Sequence, residues 1–199
     1  MESYYLCILD FEATCCDKEE FPRNHMEIIE FPSVLYKITG KTSEFVSEFH
    51  QYVKPTIHPV LTNFCTDLTG IQQETVDKAD TIDIVYKSHI KWLNLNVKTG
   101  SNVYICTCGH WDLKTMLPHE IRNKKLSTHK YYSIYINVKD EYEYFYKRKT
   151  KSMLDMLSHL NIKLEGRHHS GIDDTKNISK ILMKIILDGH DDFKINSIN

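Results

Sequence analysis

The chain has 199 residues, 41% of them hydrophobic and 26% charged, with only 7 Gly and 5 Pro, which excludes collagen-like, low-complexity and disordered classes. A length of this size holds one packed domain at roughly 100–200 residues per domain, expected here as a core over about residues 4–188 and a tail over 189–199. A net charge of −2, from 25 basic and 27 acidic residues, does not advertise a nucleic-acid surface, but a bulk figure says nothing about where lysines gather. No apolar run approaches the roughly 18 residues of a membrane span, and Met1-Glu2-Ser3-Tyr4 lacks the basic start of a secretory signal. The six cysteines (Cys7, Cys15, Cys16, Cys65, Cys106, Cys108) include no Cys-x-x-Cys pair, so they read as buried, reduced thiols in a cytoplasmic or nuclear protein that meets no membrane.

In chain order, Tyr4–Leu9 is an apolar run that fits a strand buried on both faces and stops at Asp10. A charged loop from Asp17 to Asn24 follows. Runs 27–38 and 44–53 then flank Thr39-Gly40-Lys41-Thr42 as an antiparallel hairpin, with Pro32 marking a bulge or strand end. Helical patterns are expected from about Pro59 to Thr66 and from Thr81 to Leu95, followed by a strand over 102–107 and a helix opened by Asp112. A strand over 132–138, a helix over 151–160 and a longer helix over 173–187 complete the pattern; the last carries Ile178, Ile181, Leu182, Ile185 and Ile186 on one face. The order β, β, β, α, β, α, β, α, α implies an α/β fold with a mixed sheet covered by helices.

Four acids and a histidine carry the chemistry. Asp10 and Glu12 are separated by one residue at the end of the first strand, a spacing that would place both carboxylates on one face of a continuing strand. Two acids held together raise each other's pKa unless a hard cation such as Mg²⁺ or Mn²⁺ lies between them. Asp112 follows the 102–107 strand, and Asp174 enters the last helix five positions after His169. Each acid alone could be a helix-start or strand-end carboxylate; three acid sites and a histidine in this order favour one cluster. Trp111, beside Asp112, reads as a stacking residue, whereas Phe64 and Ile71 fit core packing equally well. The stretch Tyr142–Lys151, aromatic and then cationic, could guide a nucleic-acid backbone or form a solvated helix end.

These residues resemble the motifs of the DEDDh exonucleases of the ribonuclease T and ribonuclease H-like superfamily: Asp10-Phe11-Glu12, then Asp112, then His169 with Asp174. Similarity to the branch of three-prime histone-mRNA and enhanced-RNAi exonucleases shows in Ile28-Ile29-Glu30-Phe31-Pro32, in residues 49–55 and 64–71, and in Gly166-Arg167-His168-His169-Ser170-Gly171-Ile172-Asp173-Asp174. The resemblance implies a ribonuclease H-like mixed five-stranded sheet flanked by helices, and a 3′-5′ exoribonuclease releasing nucleoside 5′-monophosphates. Asp10, Glu12, Asp112 and Asp174 would hold two Mg²⁺ (or Mn²⁺) ions about 3.5–4 Å apart, with His169 as general base and no small-molecule cofactor. It also implies substrate contacts from Phe11, Ala13, Thr14, Phe64, Thr69, Gly70, Ile71, Trp111 and His169. The expected partner is RNA, or DNA, with a free 3′ end. The first motif begins at residue 10, so the SAP domain with which some members grip a histone-mRNA stem-loop is not expected here. Two other classes compete: a binding module that has lost catalysis, which should lack one of these residues, and a haloacid-dehalogenase-type phosphatase, which would want Asp where Glu12 stands.

Overall fold

The computed structural model describes residues 3–17 and 21–198, so part of the charged loop after Asp17 lies outside the described residues. The chain begins with β1 (Tyr4–Leu9), the two-residue β2 (Glu12–Ala13), and a long hairpin of β3 (Ile28–Thr39) and β4 (Thr42–Tyr52). Three helices follow, α1 (Asn63–Thr69), α2 (Gln73–Asp77) and α3 (Ile82–Asn96), then β5 (Val103–Thr107). A π-helical turn at Trp111–Met116 leads into α4 (Leu117–Asn123), and β6 (Ile134–Asn137) runs straight into α5 (Val138–Tyr146). The remaining elements are α6 (Met153–His159), α7 (Gly171–Leu187) and a short β7 (Asn196–Ser197).

The five longer strands lie in the order β4-β3-β1-β5-β6, with β1, β5 and β6 parallel and the hairpin antiparallel; β2 and β7 extend the sheet to seven strands. β1 is buried on both faces, as its apolar run predicts. Cys7 and Leu9 join a core with Phe31, Phe49 and Val85 under α3 and α4, while Leu6 and Ile8 join one with Met156 and the α7 stripe Ile178, Ile181, Leu182, Ile185 and Ile186. Burying each such side chain contributes about 1.5–3 kcal/mol, so packing rather than intrinsic propensity holds α7 against β1 and β3.

Three sequence expectations change. α1 starts at Asn63, later than expected, because Thr62 accepts the Cys65 N–H as its N-cap. The strand does not run through Asp10 to Glu12; it breaks, and Glu12 restarts in β2 opposite Glu30. Pro32 is neither a bulge nor a strand end: the irregularities of β3 fall between Leu35 and Tyr36 and in its pairing with Glu12–Ala13, and Pro32 lies within β3 opposite the β1–β2 break, where the ladder is already interrupted. Of the cations after α5, three make local contacts at an exposed helix end, one of the two readings the sequence leaves open for this stretch. Arg148 pairs with Asp155 and the Tyr142 hydroxyl, Lys149 with Glu143, and Lys147 sits 4.0 Å from the Tyr144 ring centre.

The C-terminal tail is pinned. His190 Nε2 lies 2.7 Å from the Glu141 carboxylate, both groups buried, and the Lys194 N–H donates to the other Glu141 oxygen. Replacing His190 with Ala strands a buried carboxylate, and urea unfolding of H190A is expected to show a loss of about 3 kcal/mol. Among the described residues no helix is long and apolar enough to cross a membrane.

Candidate active site

The C-terminal ends of β1 and β5 bring two of the acids to one edge of the sheet. Asp10 leaves β1 directly, and Glu12 hangs from β2. Asp112 lies in the π-helical turn after β5, a rare geometry frequent at functional sites, where its Oδ1 accepts the Phe11 N–H at 2.9 Å. Asp174 arrives from the first turn of α7. Its N–H is bonded to the Ser170 carbonyl at 2.8 Å, and its side chain is buried.

Carboxylate oxygens of Asp10, Glu12 and Asp174 all lie within 4.8 Å of one another. Asp112 stands beside this trio and acts on Asp10 electrostatically. With no cation among them the acids resist ionisation. Burial first, and then repulsion by their neighbours, pushes the Glu12 carboxyl up to about 9 and Asp10 well above the usual carboxylate range. Burial likewise takes Asp112 up to about 6 and raises Asp174. An all-oxygen set of mutually repelling carboxylates fits hard divalent cations, which would supply the missing positive charge.

Arg167–Ser170 form a tightly held loop above α7. The His169 N–H donates to Asp174 Oδ2 at 2.8 Å, and His169 adopts a left-handed backbone with φ +65°, a cost that fixed surroundings must sustain. Asn177 holds the loop from below through the backbone of Glu165, and Asp173 accepts the Arg167 N–H. The Arg167 guanidinium donates to the Asp67 carbonyl, and it fills the space a side chain at Gly70 would need: a Cβ there would lie 2.4 Å from it. The loop is thereby tied to the end of α1. His168 was not singled out in the sequence, yet its ring contacts the Asp174 carboxylate at 3.0 Å and stacks on His169 with ring centres 3.9 Å apart. Burial, and then the proximity of His168, lower the His169 pKa, so its imidazole is neutral at pH 7.

The expected substrate contacts divide by exposure. The side chains of Trp111 and Phe64 are each 39% exposed, and Trp111 also walls a cavity of about 290 Å³ with Cys15, Cys16, Phe21, Arg23 and Met26. The side chains of Phe11, Ala13, Thr14, Thr69 and Ile71 are buried. Phe11 packs on Phe31, Thr14 accepts the Glu27 N–H, Thr69 bonds within its own turn, and Ile71 belongs to a small core with Ile29 and Cys65. Gly70 caps α1 in a left-handed conformation. All six cysteines are free, but only Cys7, Cys65 and Cys106 are fully buried; Cys15, Cys16 and Cys108 are partly accessible.

A mixed sheet with carboxylates at the ends of its parallel strands, faced by an acid from the last long helix, defines a nuclease domain of the ribonuclease H-like class. The sequence matches the RNase T exonuclease family over residues 7–182, and the chain belongs to that family. It is 41% identical over 189 residues to ERI1 exoribonuclease 3 of Homo sapiens, covering 94% of this chain and 55% of that protein. It is 39% identical over 193 residues to the 3′-5′ exoribonuclease 1 of Homo sapiens, covering 94% and 54%. The chain thus spans about half the length of these curated relatives. Among solved structures, the nuclease domain of 3′hExo, a DEDDh family member, bound to rAMP superposes with a TM-score of 0.88 at 38% identity, covering 97% of this chain and 96% of that one. A 3′-exonuclease solved for 3′-end specific recognition of a histone mRNA stem-loop gives 0.87 at 36% identity, covering 95% and 84%.

Proposed function

We propose that this chain is a metal-dependent 3′-5′ exoribonuclease that trims single-stranded RNA, or the 3′ overhangs of structured RNA, to nucleoside 5′-monophosphates. The observation that carries this reading is the convergence of Asp10, Glu12 and Asp174 at the sheet edge, with the histidine loop directly above. Asp10, Glu12 and Asp174 would hold one Mg²⁺ or Mn²⁺ ion, and Asp10 with Asp112 would help to hold a second. Divalent ions bound there lower the pKa of a water molecule and neutralise charge on the phosphoryl oxygens.

The chain's own groups do the rest. His169, neutral at pH 7, accepts the proton of the attacking water as general base. Trp111 and Phe64 stack on the terminal bases, a contact any base satisfies and one that suits stepwise trimming. Backbone at Ala13, Thr14 and Gly70 contacts the terminal nucleotide. RNA is favoured as substrate because the relatives named above are exoribonucleases. Six free thiols suit a reducing compartment, the cytoplasm or nucleus.

Purified protein is to be incubated with 5′-labelled single-stranded RNA, the matching DNA, and an RNA stem-loop with a 3′ tail, each with Mg²⁺, Mn²⁺ or EDTA. A ladder shortening from the 3′ end of RNA, abolished by EDTA, is the expected result. Faster trimming of DNA would replace the substrate, and binding without cleavage would replace the activity. Trp111→Ala is expected to raise KM for a short RNA about tenfold with kcat nearly unchanged, since stacking is worth ~1–3 kcal/mol per base. Initial rates over a range of RNA concentrations check this.

A further inference from the structure

Glu30 is a fifth acid beside the cluster, on β3, and only 1% exposed. An acid inside the apolar run Ile28–Phe31 is costly unless its oxygens are satisfied, and here they are. The Gly171 N–H donates to Oε2 at 3.0 Å and the Ile172 N–H to Oε1 at 3.1 Å, while His50 Nε2 lies 2.8 Å from Oε1. The N-cap of α7, Ser170, makes no side-chain capping bond of its own. The first turn of α7 is therefore capped from a strand 141 residues away in sequence.

That origin matters for three of the acids. Glu30 is the register partner of Glu12 across β3 and β2. Gly171 abuts Asp10 so closely that a Cβ there would lie 2.9 Å from the Asp10 carbonyl oxygen and 3.0 Å from Glu30 Oε2. Asp174 stands in the helical turn whose free N–H groups Glu30 occupies. A cap supplied by a serine or aspartate at position 170 would stabilise α7 equally well, but it would leave the helix free to slide over the sheet.

We infer that Glu30 is a positioning residue for phosphodiester hydrolysis: its carboxylate ties the start of α7 to β3 and so fixes Asp174 and the His169 loop relative to Asp10 and Glu12. This rests on the function proposed above. Glu30 is not one of the three acids whose oxygens cluster within 4.8 Å, and its own oxygens are occupied by Gly171, Ile172 and His50. Residues that orient ligands from behind typically change metal affinity or activity by about 10- to 100-fold when replaced.

The test compares wild type with Glu30→Ala and Glu30→Gln. Glutamine keeps the size and one carbonyl oxygen, so it can accept one of the two N–H groups, and it serves as the variant that folds if alanine does not. Mn²⁺ affinity of the metal-free protein is read by electron paramagnetic resonance, amide exchange at residues 171–175 by mass spectrometry, and kcat and KM on a short RNA. The expected result for E30A is a loss of at least tenfold in Mn²⁺ affinity and in kcat, an unchanged KM, and faster exchange at the start of α7. E30Q should fall between E30A and wild type. Wild-type Mn²⁺ affinity and kcat in either folded variant, even with a lowered melting temperature, overturns the inference alone and leaves Glu30 a structural cap. A wild-type protein that binds no Mn²⁺ overturns both the reading of the site and this inference.

Discussion

Asp10→Asn is expected to lower exonuclease kcat by about 10³-fold or more, ~4 kcal/mol of transition-state stabilisation, without unfolding the protein. Asp10 contributes to both proposed cation positions, so its loss disturbs them together, whereas loss of Glu12 or Asp174 disturbs one. Stability should move the other way. Asp10 is repelled by Asp112, Glu12, Asp174 and Glu30, and burial opposes its charge further. An amide of the same shape removes that repulsion, so the metal-free D10N variant should melt at the wild-type temperature or above it. Circular dichroism melts in EDTA, set beside gel assays in Mg²⁺, separate the two effects. A variant that loses its fold along with its activity would make Asp10 a structural acid and remove the basis of the proposed site.

The parts of this fold that follow short-range rules were readable from the sequence. The apolar run of β1, the hairpin around Gly40 and the stripe on α7 each follow from periodicity, and each is present. The motif acids could be picked out because carboxylates at strand and helix ends are cheap singly but informative in a fixed order. Residues acting through tertiary contacts were harder to see. Glu30 lies in an apolar run, a visible anomaly, but its partners are the N–H groups of Gly171 and Ile172, which no local pattern connects to it. Arg167 looks like one more loop cation until its guanidinium is found over Gly70. The short α2 and the two-residue β2 carry too few residues for a period to register. Exposure was equally illegible: an aromatic or aliphatic residue beside a motif has the same letter whether its side chain is open, as that of Trp111 is, or buried, as those of Phe11 and Ile71 are.

The second large effect joins pH to metal. A carboxyl whose folded pKa lies above its unfolded value keeps its proton in the native state after the unfolded chain has released its own. Folding stability then falls as pH rises between the two values, by about 1.4 kcal/mol per pH unit for each such group. Glu12, held at about 9 by burial and by Glu30, extends this window almost to pH 9. Glu120 on α4, taken by burial to about 7, contributes only up to neutrality. His89 acts in the opposite sense: burial lowers its pKa to about 3, so its contribution to stability is lost as pH falls below about 6.5. Stability in EDTA should therefore decline from pH 6 to pH 9, Glu12 and Glu120 both contributing below neutrality and Glu12 above it. Saturating Mg²⁺ should flatten the upper part of that decline, because cations favour the ionised form of Glu12 and of its neighbours, leaving only the Glu120 contribution near pH 7. Urea melts at half-unit steps from pH 6 to 9, with EDTA and with Mg²⁺, give the two curves. In a Glu120→Gln background the Mg²⁺ curve should fall less steeply between pH 6 and 7. Parallel curves with and without Mg²⁺ would mean that the cluster holds no cation at these concentrations and that the slope arises elsewhere. If the curves separate, their divergence above pH 7 measures how much of the cation's binding free energy is spent on drawing protons from Glu12 and its neighbours.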